Sequence, residues 1–272
     1  MKKIIVLSLL MVCFSTVYSQ VESELEKYKR EQDEAMKAMQ QQNNELLSSL
    51  EKEYQDYVKA EQEAYANFLK KMSNIWGGDN VIESTNKEWV EYSDDGKCRS
   101  NVDFEEGEAT IEIIITPEEE KSEVKLEEKV EEKIKELIVN KGKTKDYDSE
   151  KEKAVPLQET AVLENQVQTP SGEVVTEKNI NESVKEIVKE TKIEKKEITG
   201  SDGEKRQVVT VKLELVPDHI RTRAEKYQQE VEVYCKKYGV DPAMAYAVIQ
   251  TESSFNPKAK SHVPAYGLMQ IV

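Results

Sequence analysis

One carboxylate near the end of the chain is placed where a general acid would be useful. Glu252 lies in the run Q-T-E-S-S-F-N-P, at the end of an apolar helix that Asn256 and Pro257 stop. It follows Val248 by four residues and Ile249 by three, so it shares their helical face. Burial there and the negative end of the helix dipole both favour the protonated carboxyl. The pattern therefore predicts a proton donor near neutral pH.

A second short motif, G-L-M-Q, follows ten residues after the first. Gly267 permits a close backbone approach, Met269 offers an apolar surface to a sugar ring, and Gln270 offers an amide to a sugar hydroxyl. As single residues these are more often turn and core positions. A lone glutamate near a helix end is likewise more often exposed to water, so both interpretations stay open for Glu252 alone.

Taken jointly, E-S-S-F-N-P and G-L-M-Q resemble the soluble-lytic-transglycosylase-type catalytic domain, which has a goose-lysozyme-like α fold. The upstream runs K-L-E-L-V-P-D-H at 212–219 and R-A-E-K-Y at 223–227 are similar to the membrane-bound lytic murein transglycosylase C family. The runs W-V-E-Y at 89–92 and R-S-N-V-D-F at 99–104 share this likeness, which covers roughly residues 65–272.

The resemblance implies a lyase that acts on peptidoglycan glycan strands. Glu252 would protonate the oxygen between N-acetylmuramic acid and N-acetylglucosamine, and would then take the proton of the muramyl C6 hydroxyl as that group closes onto C1. Ser253, Met269 and Gln270 match family positions that orient the acid or contact sugar. The resemblance implies no metal or nucleotide cofactor, and no second carboxylate is required, unlike in most glycosidases.

Two departures from the family leave an alternative. The resembling domains continue beyond G-L-M-Q into further helices and a tyrosine-bearing motif, so we expect residues 218–272 to be the first part of a catalytic domain in a partial sequence. A non-catalytic peptidoglycan-binding or periplasmic interaction protein is the alternative function. The second departure is at the N-terminus. Transglycosylase C is a lipoprotein, whereas the start of this chain predicts an ordinary cleaved signal peptide.

Residues 1–19 have the features of a cleaved secretory signal peptide. Two lysines precede an apolar run at 4–12, and small-type residues stand before a cleavage site that makes Gln20 the first mature residue. Lipidation of Cys13 is the less favoured alternative, because the cysteine lies inside the apolar run. We expect a periplasmic protein, with outer-membrane association left open.

Composition excludes some classes of partner. Charged residues make up 34% of the chain, hydrophobic residues 38%, and the formal net charge is −15. The acidity argues against nucleic acid, because phosphates would be repelled. Export would permit a disulfide between Cys98 and Cys235, but two unpaired thiols are the favoured interpretation. His219 and His262 are isolated, and each is expected to be a packing or surface residue.

Hydrophobic periodicity predicts an α+β chain. Steps of three and four residues indicate a long amphipathic helix over 20–75, for which coiled-coil self-association is an alternative. We expect an α/β domain with a curved antiparallel sheet at 76–217, and the start of an all-α lysozyme-like domain at 218–272. The predicted strands are 89–92, 99–104, 110–116, 192–199 and 206–216. The predicted helices are 117–140, 179–192, 221–238 and 243–254, and we expect the last of them to be buried on most sides. Residues 141–178 are predicted to be a polar loop with short elements.

Overall fold

The computed structural model describes residues 2–146, 153–260 and 265–271. The chain divides into two compact units, residues 1–67 and 68–272. Its fold is α+β, as predicted. The helices are α1 (Lys2–Trp76), α2 (Pro117–Glu120), α3 (Glu123–Ile138), α4 (Ile180–Glu190), α5 (His219–Lys226), α6 (Gln228–Tyr238) and α7 (Pro242–Ser253). The strands are β1 (Glu88–Tyr92), β2 (Cys98–Asp103), β3 (Glu108–Ile115), β4 (Lys143–Asp146), β5 (Lys153–Pro156), β6 (Glu194–Thr199) and β7 (Lys205–Glu214).

Helix α1 confirms the predicted long helix. It ends at Trp76, where Gly77 takes a φ of 87° and its N–H donates to the Ser73 carbonyl over 2.8 Å. In the first unit its apolar stripe is exposed, with Met39 65% and Leu50 51% accessible. Self-association of this stripe stays a hypothesis. None of the described helices has an apolar stretch long enough to cross a bilayer, and the signal peptide stays a prediction.

The second unit is built on an antiparallel sheet with the strand order β1-β2-β3-β7-β6. All five predicted strands are present: β1, β2 and β3 pair in sequence, β6 pairs with β7, and the two groups meet where β3 pairs with β7. In that pairing Ile111 faces Val211 and Ile113 faces Val209. All four side chains enter the main core, because alternate residues of a strand point to the same face.

Helices α3 and α4 cover that face of the sheet. Each contributes a stripe of buried aliphatic side chains, including Ile134 and Ile187. The predicted helix over 117–140 is interrupted before α3. The physical reason is capping: Thr116 and Glu119 form a capping box that starts α2, and the Ser122 side chain accepts from the Lys125 N–H to start α3 again.

The segment at 141–178 contains more core than its polar sequence indicated. It holds the predicted short elements, namely the paired strands β4 and β5 and turns. It also sends Val162, Leu163, Val167 and Val175 into the main core, each no more than 2% exposed. Residues 162–175 therefore form part of the core of the α/β region rather than a surface loop.

A buried ion cluster holds the end of α1 on the opposite face of the sheet. Glu112 accepts hydrogen bonds from Arg99 and Lys196, and the Arg99 guanidinium lies 4.2 Å from the centre of the Trp76 ring. Burial acts to raise the pKa of Glu112, but the Lys196 and Arg99 hydrogen bonds and charges outweigh it and lower that pKa. The cluster keeps the carboxylate ionised.

Helices α5, α6 and α7 follow the sheet. The predicted helix over 221–238 is divided at Tyr227, and Gly239 ends α6 with a φ of 68°. Asp241 caps α7 by accepting the Ala243 N–H over 2.9 Å, and Pro242 follows it at the first helical position.

The expectation that the last helix is buried on most sides is wrong for this chain. Of the residues of α7, only Ile249 and Ser253 are buried, and Met244 is 65% exposed. The reason is that the described residues cover α7 on one side only. Both Cys98 and Cys235 are free thiols, as expected. His219 packs in the interior, whereas His262 lies outside the described residues.

Candidate active site

Glu252 lies in the last turn of α7 and is half-buried. Its backbone carbonyl accepts a hydrogen bond from the Asn86 side chain over 2.7 Å. No hydrogen bond or ion pair joins its carboxylate to another described residue. The side chain is therefore held at its backbone and left without a basic partner in the part of the chain that the structure describes.

The chain turns sharply directly after Glu252. Ser254 and Phe255 both have a positive φ, 48° and 60°. A non-glycine residue in this left-handed region costs on the order of 1 kcal/mol or more, and it persists where its surroundings hold it. The Ser254 N–H still donates to the Gln250 carbonyl over 3.0 Å, so the turn closes the helix tightly. Two strained residues in succession indicate that this turn is fixed by contacts from outside it.

Ser253 joins the two sequence motifs. Its hydroxyl lies 3.0 Å from the Ile249 carbonyl and 2.8 Å from the Leu268 carbonyl, and the side chain is fully buried. The first bond lies within α7, whereas the second reaches across to G-L-M-Q. The two motifs are therefore adjacent in the structure.

The G-L-M-Q segment forms a compact turn beside the end of α7. Gly267 has a φ of 78°, and its N–H donates to the Ala259 carbonyl over 3.0 Å. The Gln270 amide nitrogen donates to the Gly267 carbonyl over 2.8 Å, while its amide oxygen is buried with no described partner. Met269 is 40% exposed. The segment thus exposes an apolar side chain, whereas the Gln270 amide oxygen is enclosed and has no partner among the described residues.

Aromatic packing supports the turn from within the C-terminal helices. Phe255 is 2% exposed and stacks on Tyr227, with 6.4 Å between ring centres. The Tyr246 ring lies 6.3 Å from Phe255 on another side. Burial of this ring fixes the second of the two positive-φ residues.

Asn86 and Asn256 connect the turn with the loop before β1. The Asn86 amide donates to the Glu252 carbonyl, and the Asn256 amide donates to the Asn86 carbonyl over 3.2 Å. The Asn256 side-chain oxygen accepts the Lys258 N–H over 2.9 Å, and Asn256 is fully buried. The loop before β1 is therefore hydrogen-bonded to the turn that carries Glu252.

Arg223 holds the same turn from α5. Its Nε donates to the Ser254 carbonyl over 3.1 Å and its Nη1 to the Gln166 side chain over 2.9 Å. Its Nη2 donates to the Phe104 carbonyl and lies 3.1 Å from His219 Nδ1. Burial lowers the pKa of Arg223 to about 10, so the group still carries its charge at neutral pH. Charge-assisted bonds of this kind are stronger than neutral ones.

Sequence reasoning named Glu252, Ser253, Met269 and Gln270, and the structure brings these four residues into one region. It missed the supporting groups Asn86, Gln166 and Arg223. Asn86 stands in a polar turn, and Arg223 stands in a charged helix. No local sequence pattern singles out Asn86 or Arg223, because the partners of both side chains lie far away in the sequence.

The C-terminal part of the chain is similar to a known catalytic domain. Residues 230–272, which hold the turn and the G-L-M-Q segment, match the transglycosylase SLT domain. This match places the candidate site in a segment that is similar to the SLT domain of transglycosylases.

The particular family follows from the larger part of the chain. Residues 39–226 match the N-terminal domain of membrane-bound lytic murein transglycosylase C. Curated relatives named membrane-bound lytic murein transglycosylase C include that of Sodalis glossinidius (strain morsitans), 31% identical over 225 residues, covering 79% of this chain and 60% of the relative. The one from Salmonella arizonae is 32% identical over 205 residues, covering 75% and 54%. The chain therefore belongs to the membrane-bound lytic murein transglycosylase C family, and it spans about half the length of the curated relatives it matches.

Proposed function

We propose that this protein is a peptidoglycan lytic transglycosylase that cleaves the β-1,4 bond between N-acetylmuramic acid and N-acetylglucosamine. The product would carry a 1,6-anhydro-N-acetylmuramic acid end. The observation that carries the proposal is the bond from Ser253 to the Leu268 carbonyl, 2.8 Å, which joins the helix end bearing Glu252 to the G-L-M-Q segment. Membership of the family supports it.

Glu252 would act first as acid and then as base. Its protonated carboxyl donates a proton to the glycosidic oxygen as the bond from that oxygen to C1 breaks. The resulting carboxylate takes the proton of the C6 hydroxyl, and O6 forms the new bond to C1. One carboxyl group serves for the whole cycle and no water is consumed, in contrast to the two-carboxylate glycosidases.

Three neighbouring residues would support this chemistry. Ser253 holds the end of α7 in place through its two carbonyl contacts. Met269 offers a half-exposed apolar surface against which a sugar ring can pack. The Gln270 amide oxygen is buried, so Gln270 would contact a sugar hydroxyl or N–H after its side chain turns outward. These roles are those that the resemblance implies.

The remaining assignments form part of the same proposal. Residues 1–19 would be a signal peptide, 20–75 the long amphipathic helix, 76–217 an α/β domain of the transglycosylase C type, and 218–272 part of the catalytic domain. The relatives are named membrane-bound murein enzymes. That naming supports an envelope location for this protein, which we assign to the periplasm in contact with glycan strands.

Replacement of the acid tests the proposal. The protein from its full reading frame is incubated with purified sacculi, and released anhydro-muropeptides are measured by liquid chromatography and mass spectrometry. We expect Glu252→Gln to lower release at least about a hundredfold, because general acid–base catalysis contributes that much or more. Glu232→Gln, the same change on an exposed carboxylate of α6, should leave release unchanged.

A label decides between lyase and hydrolase chemistry. In H₂¹⁸O the anhydro product should contain no ¹⁸O, since O6 of the same sugar closes the ring. Unchanged release by Glu252→Gln, or ¹⁸O at C1 of the product, would reject the assignment. Absence of any release by the unmodified protein would favour a wall-binding role instead.

A further inference from the structure

The turn that follows Glu252 is the part of the site with the greatest backbone strain. Ser254 and Phe255 occupy the left-handed region in succession. Such residues stay in place only when neighbouring groups determine their conformation. Phe255 is held by aromatic packing, but Glu252 and Ser254 are held at their backbone carbonyls by side chains from outside α7.

The loop that supplies Asn86 is itself hydrogen-bonded to β1. The Thr85 hydroxyl accepts the N–H groups of Lys87 and Glu88 over 3.2 and 3.0 Å. The Ser84 hydroxyl lies 2.9 Å from the Val90 nitrogen and 3.1 Å from its carbonyl oxygen. These bonds tie the loop to β1, so the Asn86 side chain projects from a fixed support.

The contacts of Asn86 go to the turn. Its amide nitrogen donates to the Glu252 carbonyl, 166 residues away in sequence, and its own carbonyl accepts from Asn256, 170 residues away. No other hydrogen bond joins Asn86 to a described residue of the α/β region. Its loss should therefore affect the position of Glu252 more than the stability of the sheet.

Arg223 completes the support from the other side. It binds the Ser254 carbonyl and at the same time reaches Gln166 and the Phe104 carbonyl in the α/β region. The backbone on both sides of Ser253 is thus bonded to groups outside α7, at Glu252 by Asn86 and at Ser254 by Arg223.

We propose that Asn86 is a positioning residue for Glu252, and that the α/β domain thereby sets the place of the acid relative to substrate. The proposal rests on the catalytic role proposed for Glu252. It gives the α/β domain a part in the reaction: its β1 loop is one of the supports of the site. A displacement of an acid by about 1 Å can cost about a hundredfold in rate.

The experiment compares Asn86→Ala with Asn179→Ala. Asn179 is the control, because it is half-buried in the same domain and its amide likewise donates to a backbone carbonyl, that of Val174, over 3.0 Å. Its side chain also bonds to Thr176 and Glu173, so Asn179→Ala removes more hydrogen bonds than Asn86→Ala does, but removes them within residues 173–179. Turnover and KM are measured with soluble glycan fragments, and amide hydrogen exchange is measured over residues 250–258 by mass spectrometry. Thermal unfolding is recorded for both variants.

We expect Asn86→Ala to lower kcat about tenfold or more with KM within about twofold of the unmodified value. Exchange in the turn should become about tenfold faster, while Asn179→Ala changes neither quantity. Asn86→Ser, which keeps a short hydrogen-bond donor, should fall between them. This series also shows whether a loss in Asn86→Ala reflects misfolding.

Equal kcat in Asn86→Ala and Asn179→Ala would overturn the proposal, as would unchanged exchange in the turn or an effect on KM alone. The two proposals fail in different ways. An unmodified protein that releases no anhydro product contradicts the transglycosylase assignment, whereas hydrogen exchange reports on the support of the turn by Asn86 regardless of activity.

Discussion

In the α/β region, strands β1, β2, β3 and β7 and helices α3 and α4 fill one large apolar cluster, whereas helices α5 to α7 bury far fewer side chains together. The buried members of the second cluster are Val231, Cys235, Ile249 and Phe255. Met244 and Val248 of α7 remain exposed in the same helix. The first region is thus closed by apolar packing on both sides of its central strands, and the second has an apolar interior on one side of α7 only.

The difference shows what holds the candidate site. Around Glu252, the side chains of Asn86, Asn256 and Arg223 make hydrogen bonds that connect the turn with the α/β region. Such bonds are directional, so they fix a backbone position more closely than an equal area of apolar contact does. The α/β region is thus held together by its apolar core, and hydrogen bonds attach the turn after Glu252 to it.

The largest loss of stability is expected when one buried isoleucine is truncated. The loss should be larger in the α/β region than in the C-terminal helices. We expect Ile113→Ala to lower the free energy of unfolding by about 4 kcal/mol, because the side chain is fully buried in a dense core. Ile249→Ala should cost about 2 kcal/mol, because water can enter the smaller cluster from the exposed side of α7. Urea unfolding followed by tryptophan fluorescence and circular dichroism measures both values. Equal losses would contradict the contrast between the regions.

Removal of the buried guanidinium should have the next largest effect. Arg223→Met leaves Gln166 and the carbonyls of Phe104 and Ser254 without a donor. Each unsatisfied buried acceptor costs about 1 kcal/mol or more, so we expect a loss of about 3 kcal/mol in the free energy of unfolding. The measurement is again urea unfolding.

Arg221→Met is the control for this change. Arg221 lies on the same helix, is exposed and pairs with Glu225 over 3.0 Å, an ion pair that contributes little. An apolar replacement of a buried ion can also be neutral or stabilising. If Arg223→Met were as stable as Arg221→Met, apolar closure rather than the polar network would hold the turn.

Patterns of local sequence predicted the framework well. The predicted strand over 110–116 is present as β3, where Ile111, Ile113 and Ile115 alternate into the core, and the predicted helix over 243–254 is present as α7, which Asp241 caps. These predictions succeeded because strand period and helix capping are decided within a few residues. The nearness of the two site motifs was predicted through the family resemblance, not through periodicity.

The groups that support the site could not be predicted in this way. Asn86 meets Glu252 across 166 residues of chain, and Arg223 meets Gln166 across 57. Contacts at that separation depend on the fold as a whole. The burial of Val162 and Leu163 was missed for a related reason, since two apolar residues between turns show neither helical nor strand period.

A histidine where the two regions meet provides the smallest test. His219 is buried beside Arg223, and its Nδ1 must accept from Arg223 Nη2, because a guanidinium has no acceptor. Gly107 packs against the same ring, where a Cβ would lie 2.5 Å from Nε2. Burial first, and then the Arg223 charge, lower the pKa of His219.

The sign of the pH effect follows from this lowered pKa. The unfolded chain binds a proton at His219 near its ordinary pKa of about 6.5, before the folded chain does. The contribution of neutral His219 to stability is therefore fully present above that pH and is lost as the pH falls through the folded pKa. We expect the Tm of the unmodified protein to fall more between pH 7 and pH 5 than that of His219→Asn, which keeps an acceptor and does not titrate. The carboxylates that also titrate in this interval are common to both proteins, so the difference between the two curves isolates His219. Parallel curves would show that the contact between the regions does not depend on the charge of this ring.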